Sequence, residues 1–276
     1  MRLYLAFLLA FLSTTVFSYE VSCKTEQTLT IGCTSDCDRA IKNSLKKVAR
    51  KHNQRVRFVD MWKKNIKQNF DSLDAIIIPG GVDIDPKYYK DDVEEDLRAH
   101  LDRLDYLVDY TRDGKRRDPF EMNVLGNYFS NKNNNKLPLL AICRGMQILT
   151  VSQGIPLYID INKEIGIPNR RRLQDKISIP DSDSLIGQVL NYSSFYGYKN
   201  HHQGLRVPYF KKHQAERWPH IKITATSNKG RIAEAIEFDN RPIVATQFHP
   251  EIDRGDENSR IFSWVLDNSC KRNKSK

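Results

Sequence analysis

The chain has 276 residues, and its 44 lysine and arginine residues outnumber 34 aspartate and glutamate residues, so the formal net charge is +10 at pH 7. This length accommodates one α/β domain with a full-sized hydrophobic core. Beyond the N-terminal segment, no apolar stretch reaches the roughly 20 residues that a membrane span needs. The charge leaves three kinds of anionic partner open: a polyglutamyl substrate, a nucleic acid or an anionic lipid surface.

Basic residues are concentrated in two runs, Arg170–Arg172 and the tail Lys271–Lys276. Neither run contains the interleaved aromatic side chains on which nucleic-acid bases stack. One run falls in a predicted loop and the other at the terminus, so we interpret both as solvent-exposed surface. We therefore expect no nucleic-acid partner.

Residues 1–18 have the pattern of a secretory signal peptide. A basic residue follows the initiator methionine, a short apolar segment runs from Leu3 to Leu12, and Val16 and Ser18 stand at the −3 and −1 positions of a cleavage site. The apolar segment is too short for a membrane span. We expect an exported, periplasmic or secreted protein with one mature domain at residues 19–276; anchoring by an uncleaved signal is the alternative.

Strand and helix patterns alternate along the first half of the chain. The predicted strands are Leu29–Cys33, Val56–Val59, Ala75–Ile78 and Leu139–Ile142, and the predicted helices are Asp38–His52, Glu94–Tyr110 and Pro119–Phe129. In the second half we predict an irregular segment Ile165–Asp183, a hairpin of Ile221–Thr226 with Ile232–Phe238, a strand Ile243–Phe248 and a helix Ser259–Asp267. This order predicts an α/β fold, with a mostly parallel central sheet flanked by helices and a small antiparallel appendage.

The segment Pro138–Gln147 places a cysteine at a strand-to-helix junction. The apolar run Leu139–Ile142 ends at Cys143, Gly145 follows two residues later, and a helical pattern begins there. This is the layout of a nucleophile elbow. The helix N-terminus favours negative charge and hence thiolate over thiol. A buried core cysteine would have the same apolar neighbours, so the partners of Cys143 must decide between the two interpretations.

The segment Pro242–Glu251 supplies those partners. His249 precedes a proline, which favours an extended conformation. Residues two apart on an extended chain face the same way, so we expect His249 and Glu251 to lie side by side. A histidine that takes the thiol proton and a carboxylate that orients the imidazole complete a Cys143–His249–Glu251 triad.

The motifs C-R-G-M-Q, from Cys143, and Q-F-H-P-E, ending at Glu251, resemble the two signatures of the class I glutamine amidotransferase-like superfamily. Four further segments resemble its gamma-glutamyl hydrolase branch, typified by gamma-glutamyl-gamma-aminobutyrate hydrolase. They are P-G-G-V-D-I-D-P (Pro79–Pro86), R-D-P-F-E (Arg117–Glu121), L-Y-I-D-I (Leu157–Ile161) and N-H-H-Q-G (Asn200–Gly204). Phe248, where a tryptophan is usual, and Ala141, where many relatives have glycine, are small departures.

The resemblance implies a flavodoxin-like class I glutamine amidotransferase fold and a set of supporting residues. An oxyanion formed by thiolate attack needs donors already aimed at it; the backbone N–H of Arg144 is one candidate, and the family points to Gly81 as the other. The resemblance further implies substrate contacts from Gly80, Gln147, Asn200, His201, His202 and Gln203. It implies neither a cofactor nor a metal. Asp83 and Asp85 lack the further acids of a calcium loop, so we assign them turn and capping roles.

Four cysteines remain when Cys143 is the nucleophile: Cys23, Cys33, Cys37 and Cys270. In an oxidising compartment they allow two disulfides in three pairings, and they could also stay free. Cys143 must stay unpaired if it is catalytic.

These observations predict a cysteine hydrolase of γ-glutamyl amide bonds that acts on a small-molecule substrate through a γ-glutamyl thioester. Two other functions remain open: a glutaminase that supplies ammonia to a partner synthase, and a non-catalytic γ-glutamyl-binding protein. The amine leaving group and the oligomeric state cannot be deduced from the sequence.

Overall fold

The computed structural model describes Cys23 and residues 27–168, 173–253 and 255–274. The signal peptide predicted at residues 1–18 and the arginine run 170–172 lie outside the described residues. Among the described residues, no helix combines the length and the apolar character required to cross a membrane.

Eleven strands are formed by the described residues. They are β1 (Thr28–Cys33), β2 (Arg55–Asp60), β3 (Ala75–Ile78), β4 (Leu139–Ile142), β5 (Leu157–Tyr158), β6 (Leu173–Ser178), β7 (Ser194–Lys199), β8 (Gly204–Leu205), β9 (Ile221–Ser227), β10 (Ile232–Phe238) and β11 (Ile243–Thr246). Nine of them form one sheet in the order β2-β1-β3-β4-β11-β10-β9-β6-β7. The strands from β2 to β11 in this order are parallel, and the remaining four are antiparallel.

Eight α-helices in the described part of the chain connect and cover these strands. They are α1 (Arg39–Lys51), α2 (Glu95–Leu104), α3 (Arg112–Ser130), α4 (Arg144–Val151), α5 (Ile161–Ile165), α6 (Leu185–Leu190), α7 (Val207–Arg217) and α8 (Asp256–Lys274). Single 3-10 turns occur at Pro86–Tyr88, Lys90–Asp92 and Asp105–Leu107, and a longer one at Lys132–Lys136. Strands β5 and β8 pair as a separate two-stranded antiparallel sheet.

The central strands are apolar on both faces because helices cover both faces. Leu139 and Ala141 of β4 enter one core, to which α3, α4 and α7 contribute. Leu140 and Ile142 enter the opposite core, which α1, α6 and α8 cover. Successive side chains of a strand point to opposite faces, so β4 contributes to both cores and is fixed from both sides. The predicted α/β fold with its mostly parallel central sheet is confirmed.

Three of the differences between the observed and the predicted elements are explained by the structure or the sequence. The segment expected to be irregular contains β6, which pairs with β7 at six positions although its sequence is largely polar. Helix α3 begins at Arg112 rather than at Pro119, because the Thr111 hydroxyl caps it by accepting the Gly114 N–H. Helix α2 ends at Leu104, where a 3-10 turn replaces the helix that was expected to continue.

The topology brings three loops together. Because β3, β4 and β11 are adjacent and parallel, their carboxyl ends lie at the same edge of the sheet. The loop Pro79–Gly81 follows β3, Cys143 follows β4, and the segment 247–251 follows β11. The residues singled out in the sequence therefore converge at one edge.

Candidate active site

Cys143 occupies a sharp turn between β4 and α4. Its backbone has φ +51° and ψ −106°, a conformation that non-glycine residues rarely adopt. Its N–H donates to the Thr246 carbonyl at 2.7 Å. A Cβ placed on Gly145 would lie 2.1 Å from the Ile78 carbonyl oxygen, so α4 can pack against β3 only with glycine at this position. The turn therefore has the form of a nucleophile elbow.

His249 and Glu251 are in direct contact. Nδ1 of His249 lies 2.7 Å from Oε1 of Glu251. The segment is not extended, as the sequence had suggested, because β11 ends at Thr246 and residues 250–252 form a turn. The Ile252 N–H donates to the His249 carbonyl at 3.1 Å, and this turn brings the carboxylate back beside the imidazole.

The imidazole of His249 is buried and oriented. Its backbone N–H donates to the Tyr198 carbonyl at 3.0 Å, and the Tyr198 ring meets the imidazole edge-on at 5.9 Å. Burial by itself would lower the pKa of His249, but the adjoining Cys143 and the hydrogen-bonded Glu251 outweigh burial and raise that pKa. Nε2 makes no hydrogen bond of ordinary geometry to the described residues, and Cys143 is the neighbour that raises the pKa of the ring most.

A buried ion cluster holds the loop Pro79–Gly81, here called the glycine loop. The Arg117 guanidinium donates to the Gly80 carbonyl at 2.8 Å and to the Pro79 carbonyl at 2.9 Å. Glu121 binds Arg117 at 2.9 Å and also pairs with the fully buried guanidinium of Arg144. The side chain of Arg144 thus ties the elbow to the glycine loop, while its backbone follows the nucleophile.

One cavity of about 400 Å³, here called the first cavity, opens beside Cys143. Its walls include Gly81, Asp83, Gln147, Asp160 and the histidine loop Asn200–Gln203. His202 lies between two carboxylates, with Nε2 2.8 Å from Asp83 Oδ1 and Nδ1 3.3 Å from Asp160 Oδ2. The hydrogen bond to Asp83 raises the pKa of His202 although the ring is partly buried, and Asp160 adds to this effect.

The neighbouring His201 differs from His202 in its surroundings. Burial, with a contribution from the nearby Lys199, lowers the pKa of His201 to about 3. The neutral ring donates its Nδ1 proton to the Gln203 carbonyl at 2.9 Å. The pKa shifts of these adjacent histidines therefore run in opposite directions, upward for His202 and downward for His201. Within the described ranges, no group of three or more His, Cys, Asp or Glu side chains is arranged to hold a metal ion.

Three glutamines connect the elbow to the histidine loop. Gln147 donates to the Gln203 carbonyl at 2.9 Å, and the Gln203 side chain accepts the Ile84 N–H at 2.9 Å. Gln247 lies 3.6 Å from the Cys143 sulfur and 3.4 Å from the Gln147 amide. The amide groups of Gln147 and Gln203 are thus used largely to hold the cavity wall in place.

Another cavity, of about 320 Å³, also borders Cys143, and we call it the second cavity. It shares Gly81, Cys143 and Asn200 with the first cavity, and it alone of the two is lined by His249 and Glu251. Asp36 and Asp38, from the turn between β1 and α1, complete its rim.

Several of these residues were not identified from the sequence. Asp83 had been assigned a turn role and Asp160 no role, yet both contact His202. Gln247 stands two residues before His249 in the same motif, and this position could have indicated that its side chain lies near Cys143. Asp36 and Asp38 carried no signal, because only the pairing of β1 with β3 brings their turn to the site.

All five cysteines lie among the described residues. Cys23 pairs with Cys270, Cys33 pairs with Cys37, and Cys143 is unpaired. The structure thus selects one of the three pairings that the sequence left open.

The site and fold agree with comparisons to known proteins. Residues 37–251 match the family model of peptidase C26, and the chain belongs to this family of class I glutamine amidotransferase-like proteins. The glutamine amidotransferase-like protein YvdE of Lactococcus lactis subsp. lactis is 28% identical over 198 residues, which cover 68% of this chain and 70% of YvdE. One subunit of the glutamine-hydrolyzing GMP synthase of Ignicoccus hospitalis is 29% identical over 139 residues, or 50% of this chain and 62% of that protein.

A solved structure gives the same fold. The glutaminase domain of Trypanosoma brucei CTPS, with bound acivicin, superposes with a TM-score of 0.60 at 12% identity and covers 88% of this chain and 94% of that domain. The predicted family and fold are confirmed, and the chain is a glutamine amidotransferase-like member of a family of amide-bond hydrolases.

Proposed function

We propose that this protein hydrolyses γ-glutamyl amide bonds by means of a Cys143–His249–Glu251 triad. The observation that carries the proposal is the 2.7 Å contact between His249 and Glu251 beside an unpaired cysteine on a strand-to-helix elbow. A base that touches the nucleophile and a carboxylate that orients the base are the parts that thiol catalysis requires.

The proposed reaction has two stages. The Cys143 sulfur attacks the γ-carbonyl carbon, and the negative oxygen that forms is stabilised by backbone N–H groups of Gly81 and Arg144. His249 gives its proton to the amine nitrogen as the C–N bond breaks, leaving a γ-glutamyl thioester and a free amine. Water then loses a proton to His249 and attacks the thioester carbon, which releases glutamate and restores the thiol. Glu251 keeps the imidazole oriented in both stages.

The first cavity is the place where we put the glutamyl group. The imidazole of His202, whose pKa is raised, suits a carboxylate, and the carboxylates of Asp83 and Asp160 suit an ammonium group. A γ-glutamyl group carries both charges at its α-carbon. Asn200, His201, Gln147, Gln203 and Gly80 shape the surroundings, and no cofactor enters the proposed reaction.

We further propose that the protein works outside the cytoplasm. Two cysteine pairs, Cys23–Cys270 and Cys33–Cys37, support this placement because disulfides persist in oxidising compartments. The signal-like segment 1–18 supports it as well.

The decisive test uses variants of the nucleophile and its orienting acid. Cys143→Ala should abolish hydrolysis of γ-glutamyl amides, and Glu251→Gln should lower kcat by about 100-fold or more because the imidazole loses its negative partner. Steady-state kinetics and intact-mass detection of the acyl-enzyme measure both effects. Undiminished turnover by Cys143→Ala would rule out the mechanism.

Free glutamine belongs in the same assay, because one relative is named as part of a glutamine-hydrolyzing synthase. Turnover of glutamine above that of γ-glutamyl alkylamides would favour the glutaminase function instead.

A further inference from the structure

The two cavities that border Cys143 have different chemical tasks, and this inference rests on the proposed function. The acyl group and the leaving amine must extend in opposite directions from the carbon that Cys143 attacks. The proton for the departing nitrogen comes from His249, so the amine must leave on the side of His249. His249 lines the second cavity and is absent from the lining of the first. The second cavity is therefore the place for the leaving amine.

One buried polar atom indicates that this cavity receives a ligand. Oε2 of Glu251 has no hydrogen-bond partner among the described residues. Glu251 is more than nine-tenths buried, at 7% exposure, and it lines the second cavity. Buried polar atoms without partners are costly. A ligand carrying N–H donors would satisfy the carboxylate oxygen.

The charges around the second cavity do not balance. Arg117 is matched by Glu121, and the imidazolium of His249 is matched by Glu251. Asp36 and Asp38 add two further carboxylates at the rim.

Lys42 binds Asp36 but makes no salt bridge to Asp38 among the described residues. Asp38 accepts the Ile41 N–H at the start of α1, which leaves its charge in place. The second cavity therefore keeps the unmatched negative charge of Asp38, whereas the charge of Asp36 is shared with Lys42.

The turn that carries these carboxylates is held firmly. The Cys33–Cys37 disulfide closes it, and the Thr34 hydroxyl donates to Glu121 at 2.7 Å. The same Glu121 binds the two arginines that fix the glycine loop and the elbow. The carboxylates thus stand at a defined place relative to Cys143.

We propose that the leaving amine carries a positive charge, so that the preferred substrates are γ-glutamyl monoamides of diamines or polyamines. A distal ammonium group would be attracted by Asp38, and by Asp36 in competition with Lys42, whereas a distal carboxylate would be repelled. Both aspartates are exposed, so solvent weakens the effect and we expect about a fivefold preference over a neutral amine.

Three matched substrates test this proposal with the wild-type protein. They are the γ-glutamyl amides of 1,4-diaminobutane, butylamine and 4-aminobutyrate, which share a four-carbon chain and differ in terminal charge. We expect kcat/KM to be highest for the diaminobutane amide, lower for the butylamide and lowest for the aminobutyrate amide. The ratio of kcat/KM for the diaminobutane amide to that for the butylamide should fall toward one as the salt concentration rises from about 0.01 to 1 M, because salt screens the carboxylates.

A charge-removing variant supplies the second arm. Asp36→Asn with Asp38→Asn keeps a good helix cap at position 38 and should bring the ratio of cation to neutral close to one. Asp71→Asn, in an exposed loop before β3 and hence at the opposite edge of the sheet, is the matched control and should leave the ratio as in the wild type.

The outcomes separate the two proposals. Cleavage of the butylamide without preference for the cation, or a preference that persists in the double variant, overturns the cationic leaving group and leaves the γ-glutamyl hydrolase function standing. Cleavage of none of the three substrates overturns both.

Discussion

The candidate nucleophile owes its position to a backbone conformation that few residues tolerate. Cys143 has a positive φ, and the next residue but one must be glycine because the Ile78 carbonyl occupies the space of a Cβ. The strain at Cys143 is sustained by the strands on both sides of β4. The elbow is therefore a property of packing as much as of the C-R-G sequence.

A pair of glycine substitutions tests this point. Gly145→Ala should destabilise the protein by about 1–3 kcal/mol or more, since backbone atoms must move to admit the methyl group. Gly126→Ala, in α3 with nothing within 4 Å of the added Cβ, should instead stabilise it by about 0.5–1 kcal/mol. Urea unfolding of both variants measures the difference. Equal effects of the two substitutions would show that the contact with Ile78 is not limiting.

Residue-level roles were only partly predictable. The elbow position of Cys143 and the contact between His249 and Glu251 could be predicted because each rests on a short local motif. The partners of His202 could not, because Asp83 and Asp160 come from segments far apart in sequence. The turn that joins His249 to Glu251 was mistaken for an extended strand, since a proline between them is compatible with either backbone.

At the scale of elements, the β9–β10 hairpin carries an unusual buried acid. Glu234 on β10 accepts a hydrogen bond of 2.6 Å from the Ser227 hydroxyl, and its carbonyl accepts the Gln247 N–H. Burial raises the pKa of Glu234 from 4.5 to about 7, although Ser227 and Lys199 oppose the shift. The hairpin behind Gln247 is therefore sensitive to pH.

The sign of this sensitivity follows from the raised pKa. The folded state holds the Glu234 proton more tightly than the unfolded state, so stability is full below about pH 4.5 and is lost as pH rises through about 7. The loss is about 3 kcal/mol. In Glu234→Gln this part of the pH dependence should disappear, whereas Glu216→Gln, on the exposed side of α7, should keep it. Urea unfolding at pH 5 and pH 8 measures the slope; parallel slopes in wild type and Glu234→Gln would contradict the assignment.

Elements with strong patterns were predictable, and those set by tertiary contacts were not. The buried strand Ala75–Ile78 agrees with the prediction at both ends. Four consecutive apolar residues followed by Pro-Gly-Gly are the pattern of a short buried strand that ends at a turn. Strand β6 was missed because its sequence alternates poorly and it is a strand only by pairing with β7. The predicted start of helix α3, at Pro119, was too late because proline is favoured in a first helical turn.

For the whole molecule, the two disulfides close loops of very different size. Cys23 and Cys270 are 247 residues apart and join the first described residue to α8, whereas Cys33 and Cys37 are four residues apart. In the chain-entropy model, a cross-link restricts the unfolded chain more strongly the longer its loop. The long-range bridge is accordingly expected to matter more for stability.

Alanine pairs at the two bridges test the loop-size argument. Loss of Cys23–Cys270 should cost about 5 kcal/mol, against about 2 kcal/mol for loss of Cys33–Cys37. Urea unfolding of the two double variants measures both costs. A larger cost for the short bridge would show that local packing, rather than loop closure, governs its contribution.

The convergence of β3, β4 and β11 at one sheet edge also sets an order of events during biosynthesis. Cys143 leaves the ribosome long before the segment that carries His249 and Glu251, because β4 and β11 are neighbours in space but distant along the chain. A growing chain that ends before β11 therefore holds Cys143 without His249 and Glu251. Under the proposed mechanism such a chain lacks the base that activates the cysteine, and it is spared a reactive thiol that could attack other proteins.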